Sequence, residues 1–415
     1  MIRITTARIL SRGRTYSTDS RPFVYTPLSS TRSLLSIQGT DSTKLLQGLV
    51  SNDLKKLDQS RESIIYAALL QADGRYMSDI FLHLHPNPLD PTVPSYFLDH
   101  PNQHSNSIRT YLKRHVLRSK LKLAKSTDQE YEIVQIWRNP HYKNKKQEEI
   151  ENAENWLQTQ NGFGRDPRVA GMGWRVITKK GLQLPSEYFE QTTPAHYHLH
   201  RLSYSVPENP SDFPNLPLEA NLELLNGVDY KKGCYVGQEL TARTHFKGVV
   251  RKRGVGIRLF RQGEPVPETF LPTITTTTTT SSSSSSSLIP SPNLYPTPPP
   301  GSTLTPLSTT TTTTSTSKRP PRAPRPAGKL GSSLPLIDSS SGTTMTIAFG
   351  SLKLDSLDQV FKVSPPKKEE EEGGGQGEVK ELEEGEGEDG AWFAKGFLNE
   401  WVEFRLEEIE ISKGL

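Results

Sequence analysis

NLPLEANLELLNGVDYKKGCYVGQELTARTHFKGVVRKR, residues 215–253, holds the single cysteine of a 415-residue chain, Cys234. Gly233 and Gly237 flank it, and glycine permits positive φ and close backbone approach. Lys231, Lys232, Arg243, Lys247, Arg251, Lys252 and Arg253 surround it in sequence, against one acid, Glu239. Exposed amides and cations favour a thiolate, the form of cysteine that attacks or binds metal. The competing reading is a small buried hydrophobe, since free cysteine is among the most buried residue types. Two glycines and a ring of cations are poor company for that role, so the residue chemistry tilts slightly toward function.

With one cysteine there is no internal disulfide framework, and no four-cysteine metal site. Any metal at Cys234 needs further ligands from histidine, a small molecule or a second protein. No run of about 18 apolar residues exists, so no transmembrane helix is expected. The net charge of +4 is a sum of opposed blocks. The first residues, MIRITTARILSRGRTYSTDS, carry Arg3, Arg8, Arg12 and Arg14, are rich in Ser and Thr, and reach their first acid only at Asp19. That is the composition of a mitochondrial transit peptide. Arg14-Thr15-Tyr16-Ser17 resembles a matrix-processing site, which assigns residues 1–16 to the transit peptide.

From Phe23 to about Phe260 the pattern is that of a folded unit. Residues 40–54 place Leu45, Leu46, Leu49 and Val50 at helical spacing behind a cap at Thr40 or Asp41. Residues 63–70 and 76–85 read as strands joined by a turn at Asp73-Gly74. Ile108, Tyr111, Leu112, His115 and Val116 mark a second helix, residues 130–137 a strand, and Thr193-Pro194 the start of a third helix. Mixed hairpins and helices without regular βαβ alternation argue α+β. On the third helix only His196 and His200 of the His196/His198/His200 series share a face, so a solvated histidine face is expected rather than a metal site.

Only 33% of the chain is hydrophobic, and the deficit is local. Thr275–Ser287 and Thr309–Ser317 are unbroken Thr/Ser tracts, prolines cluster at 296–300 and 320–326, and residues 369–389 hold eleven acids. Such segments cannot bury enough apolar surface to offset their ordering entropy. Between and after them lie strand-like pieces, GVGIRLF (254–260), TMTIAFGSLKL (344–354) and WVEFRLEEI (401–409). They predict a small β-barrel over 251–415, interrupted by a low-complexity insertion at about 270–327 and an acidic loop at about 364–390. The basic run 243–253 lacks interleaved aromatics apart from Phe246. It reads as a solvated face or an anionic-cofactor site rather than a nucleic-acid surface.

Residues 215–253, with the core KGCYVGQE, closely resemble the signature of YgfZ-type proteins, folate-binding-fold relatives of the glycine-cleavage T-protein (aminomethyltransferase). SLLSIQGTDSTKLLQGLVSNDL (33–54), ALLQADGRYMSDIFLH (68–83), DPRVAGMGWRV (166–176), GKLGSS (328–333) and TIAFGSLKL (346–354) agree in order. With the N-terminal composition, the resemblance points to the mitochondrial iron–sulfur cluster assembly factors of the CAF type. It implies an α+β T-protein-like fold over about 22–250, in two subdomains around a central opening. It implies a role in the mitochondrial matrix in maturing [4Fe–4S] proteins such as aconitase and radical-SAM lipoyl synthase, beside A-type scaffold proteins. Cys234 takes the signature cysteine position, as one ligand of a transient [2Fe–2S] cluster shared with a partner. Lys232, Gly233, Tyr235, Gly237, Gln238, Glu239 and Arg243 are the residues placed around a cofactor. No nucleic acid and no membrane insertion are implied.

The alternative is a tetrahydrofolate-dependent one-carbon transferase with Asp79 as its catalytic carboxylate. Two departures weigh against it. The T-protein has paired acids where this chain reads Ser78-Asp79. The helix that opens at Thr193 ends in Arg201-Leu202-Ser203-Tyr204-Ser205-Val206-Pro207, where Ser203 replaces a carboxylate expected to hold the pterin and Ser205 replaces a glycine.

Overall fold

A computed structural model describes residues 21–59, 63–85, 90, 92–124, 130–142, 146–160, 163–271, 288–307, 325–339, 341–366 and 391–413. The residues read as a transit peptide, both Thr/Ser tracts and the acidic run therefore lie outside the described residues. The rest forms three sheets. In the first, the strands run in the order Phe189–Gln191, Phe23–Pro27, Tyr131–Arg138, Trp174–Lys179, Phe163–Arg165. In the second the order is Ile64–Leu70, Tyr76–Leu84, Ser95–Pro101, Arg32–Gln38, Lys122–Ala124. All pairings in these two sheets are antiparallel except Phe23–Pro27 with Phe189–Gln191.

The third sheet closes on itself. Gly328–Asp338, Thr303–Pro306, Val360–Ser364, Trp392–Phe397, Lys252–Arg261 and Thr344–Lys353 pair in turn, and the last returns to the first. This is the expected C-terminal β-barrel, but the insertion read at about 270–327 is not one uninterrupted low-complexity segment. The barrel strand Thr303–Pro306 and the short strand Leu288–Pro290 lie within it, between the Thr/Ser tracts. Leu288–Pro290 is appended to one end of Gly328–Asp338. The expected strand at 401–409 is instead part of a helix, Glu400–Lys413. The segment is rich in Glu, Leu and Arg, which are strong helix formers. Asn399 also supplies a cap, its side-chain oxygen accepting the Trp401 N–H. The Trp401 indole ties this helix to the end of helix Pro194–Ser203, donating to the Tyr204 carbonyl at 2.6 Å.

The helix expected over 40–54 is broken. Ser42–Gln47 is helical and Gly48 ends it. Val50 then forms an antiparallel bridge with Leu69, and a short helix follows at Lys55–Gln59. The apolar residues are buried nonetheless, because the extended piece lies against the second sheet. The 63–70 strand, the hairpin turn, the 105–116 helix and the 131–138 strand stand where the sequence put them. Ile64–Leu70 is buried along its whole length. The first two sheets share a core that includes Val24, Tyr66, Phe81, Phe97, Ile133 and Trp137. Each such side chain, fully buried, contributes about 1.5–3 kcal/mol.

The histidine face is not solvated. Helix Pro194–Ser203 packs these rings against neighbouring groups: His200 stacks on Trp137 with centroids 5.1 Å apart, and His198 lies 3.2 Å from the Ser332 hydroxyl. The expectation failed because it judged the helix alone, whereas the barrel covers one side of it. Burial lowers His198 to about 3 and His200 to about 4, and lowers His83 of the second sheet to about 3. A histidine held neutral in the fold and free to charge when unfolded stabilises fully above its unfolded pKa, near 6.5. That stability is lost as pH falls from about 6.5 toward these lowered values. Guanidinium unfolding between about pH 7.5 and 4 should therefore show stability already declining near pH 6, above the carboxylate range. A flat profile down to about pH 5 would remove this account.

Candidate functional site

The loop around Cys234 is fastened from both sides. On one side it lies along Gly48–Asn52: the Asp229 N–H donates to the Ser51 carbonyl and the Val236 N–H to the Gly48 carbonyl, both at 3.0 Å. Lys232 is the principal clasp. Its ammonium donates to the carbonyls of Gln47, Val50 and Asn52 at 2.8, 2.7 and 2.9 Å, using all its donors. Burial lowers its pKa to about 8. Its charge sits 4.9 Å over the Tyr235 ring, and burial pushes that phenol up to about 12.

On the other side the loop meets the hairpin turn. Gly237 has φ 80, and a Cβ there would stand 2.4 Å from the Gln71 carbonyl oxygen. This glycine is the N-cap of helix Gln238–Lys247, which sequence reading did not delimit. The Gln238 side chain accepts the Tyr235 N–H at 3.1 Å. Glu239 and Arg243 are exposed on the helix, and the space around Gly233 is open. Cys234 itself is exposed and free. The loop thus presents a thiol to solvent from a fastened base, and the buried-hydrophobe reading falls.

Behind the loop lies a buried cluster in which Glu223 accepts from Arg253 at 2.8 Å and Tyr230 at 2.9 Å, and lies 2.9 Å from His245 Nδ1. Burial alone would raise Glu223, but the contacts from His245 and Arg253 outweigh it and hold the carboxyl at about 2. Tyr230 and His245 stack with centroids 3.7 Å apart. Part of the basic run is therefore structural, and Arg253 is buried in it.

Asp79 belongs to a second site, between the first two sheets. It is fully buried. One oxygen accepts from Arg32 at 2.8 Å and the other from the Tyr76 hydroxyl at 3.1 Å. Arg32 also pairs with Asp99 at 2.6 Å, and Asp99 with Arg175 at 2.6 Å. Arg175 reaches Glu208 at 3.3 Å, Glu208 pairs with Arg168 at 2.7 Å, and Arg168 with Asp166 at 2.6 Å. The Tyr197 hydroxyl donates to Glu208. All three guanidiniums gather around Phe81, with Arg175 nearest at 4.0 Å from the ring centroid. Burial would raise Glu208, but Arg175, Arg168 and Arg32 hold it well below the usual range.

The structure places Asp79 within this network and Cys234 on the loop that touches the same hairpin's turn. Ser203 donates to the His200 carbonyl at 2.6 Å, and Ser205 takes a left-handed conformation with φ 53, a region that favours glycine. Arg32, Asp99, Arg168, Arg175 and Glu208 were not singled out from the sequence as site residues. Their signal was present: a charge inside an apolar strand, as in FLD (97–99) or WRV (174–176), needs a buried partner.

No family model matches the chain. Its fold is that of the T-protein: a glycine cleavage system aminomethyltransferase T from Bartonella henselae superposes with TM-score 0.54 at 12% identity, covering 93% of this chain and 87% of that one. The sequence comparison is narrower. Proteins named "Iron-sulfur cluster assembly factor IBA57 homolog, mitochondrial" match from Mycosarcoma maydis, 39% identical over 57% of this chain and 57% of that protein, and from Aspergillus clavatus, 32% identical over 64% and 67%. One from Neurospora crassa is 32% identical over 62% and 58%. The chain belongs to this family of iron–sulfur cluster assembly factors. The match spans just over half the length of the Mycosarcoma maydis relative. The relatives are mitochondrial by name, in line with the address read at residues 1–16. No helix among the described residues is long and apolar enough to cross a membrane.

Proposed function

We propose that this protein serves in the mitochondrial matrix in the maturation of [4Fe–4S] proteins, aconitase and radical-SAM lipoyl synthase among them. Cys234 supplies one thiolate to a transient [2Fe–2S] cluster whose other ligands come from an A-type scaffold protein. The observation that carries this reading is the free, exposed Cys234 on a loop held from two sides. Among the described residues no group of three or more His, Cys, Asp or Glu side chains is placed to hold a metal ion. A lone soft thiolate suits an iron–sulfur cargo that a second protein completes. The names of the relatives point the same way.

The tetrahydrofolate-dependent transferase has less support. Both oxygens of Asp79 are engaged by Arg32 and Tyr76, and Ser203 offers no carboxylate to a pterin. The deciding experiment is anaerobic reconstitution with iron, sulfide and the scaffold. Wild type should form a chromophore that co-elutes with both proteins, and Cys234→Ala should lose it. If Cys234→Ala assembles the same cluster with the same partner, Cys234 is not a ligand.

A further inference from the structure

A cleft of about 170 Å³ lies between the turn Pro217–Ala220 and helix Gln238–Lys247, the helix that follows the cysteine loop. Leu216, Leu218, Leu240 and Val249 form much of its apolar wall. Thr241 also lines it, is 2% exposed, and its hydroxyl has no hydrogen-bond partner. A buried hydroxyl left unpaired costs about 1–3 kcal/mol, which an incoming acceptor recovers. Val249, 80% exposed, and Leu216, 40% exposed, both line the cleft and leave apolar surface open there. Arg251 lines the cleft, as does the half-buried Glu219, and Lys231, Arg243 and Lys247 are exposed on the neighbouring loop and helix with Glu239.

We infer that this cleft receives an apolar side chain from an acidic segment of a partner protein. The segment's backbone carbonyl accepts the Thr241 hydroxyl, and its acids meet Arg243, Lys247 and Arg251. The cations set the charge of the occupant, and the concave wall sets its shape. An anionic membrane would satisfy the cations but, being flat, would not fill a concave cleft. The inference rests on the reading of Cys234 as a shared ligand, because a partner that completes a cluster there must also lie beside this helix.

The test measures binding of the apo A-type scaffold by calorimetry, with vesicles of phosphatidylcholine and cardiolipin as a second probe. Val249→Asp puts a charge on an exposed position and should weaken scaffold binding about tenfold or more, as expected for an anchor contact. Arg243→Glu should weaken it most at low salt, and wild-type affinity should fall as NaCl rises from about 0.05 to about 0.5 M. Cys234→Ala should bind the apo scaffold as wild type does while losing the chromophore. Wild-type affinity retained by Val249→Asp overturns the docking surface and leaves the cluster reading to stand on the Cys234→Ala result. Equal loss of vesicle and scaffold binding in Val249→Asp and Arg243→Glu overturns it in favour of a membrane contact. Failure of wild type to bind the scaffold at all removes both.

Discussion

Glu208→Gln should destabilise the protein by about 3 kcal/mol, and Arg175→Met by about 3–5 kcal/mol, the range for removing one partner of a buried ion pair. The reason lies in what remains. Arg168 and Arg175 are fully buried and both lean on Glu208; without its charge they stay desolvated and under-compensated. Because the residues share a network, the double variant should cost less than the sum of the singles. The pH dependence has a definite sign. Glu208 and Asp99 are both held below their ordinary pKa, burial being opposed for each by the arginines. Their contribution is complete above the unfolded value, near 4–4.5, and is lost as pH falls toward the lowered folded values. Glu208→Gln should therefore show a shallower loss of stability below about pH 4.5. Chemical denaturation of wild type and both variants across that window is the measurement, and a Glu208→Gln protein as stable as wild type would refute the assignment.

The second large effect is expected at Gly237→Ala. An L-residue in the left-handed region costs about 1–2 kcal/mol. Here the added Cβ also meets backbone, the Gln71 carbonyl oxygen at 2.4 Å, which cannot swing aside as a side chain does. The loop must lift from the hairpin turn, and Cys234 moves with it. Gly233→Ala is the matched control, since nothing lies within 4 Å of its added Cβ and its φ is not positive. The expected pattern is a lower melting temperature and altered Cys234 alkylation by a maleimide in Gly237→Ala, with neither in Gly233→Ala. Similar behaviour of the two variants would show that the loop is not held at Gly237.

Much of this was legible in sequence. The hairpin, the central strands, the barrel and the cysteine loop all carried local signals: alternation, an Asp-Gly turn, glycines around a thiol. The Glu400–Lys413 helix reads as a strand in sequence, although Glu, Leu and Arg favour a helix and Asn399 can cap one. Helix 40–54 was overextended because apolar spacing does not distinguish a helix from an extended piece lying on a sheet, as Val50 does. Asp79 was found, but its partners were not. Arg32, Asp99, Arg175 and Glu208 come from separate segments, and only tertiary structure brings them to one ring of Phe81. The role of Lys232 was likewise invisible, since its three acceptors are carbonyls far away in the chain.

The closure of the barrel has a consequence for the tracts inserted in it. Repetitive threonine has high β-propensity, and an open sheet edge close by would invite such a stretch to add itself as a strand. Among the described residues, the six strands of the barrel pair in a closed ring. The appended strand, Leu288–Pro290, is three residues long and ends in a proline, which cannot donate to a neighbour. Lengthening the inserts then adds only slowly to the cost of joining their ends. Among the described residues, each of the barrel's six strands is flanked by two others, so the barrel itself holds little room for a further strand.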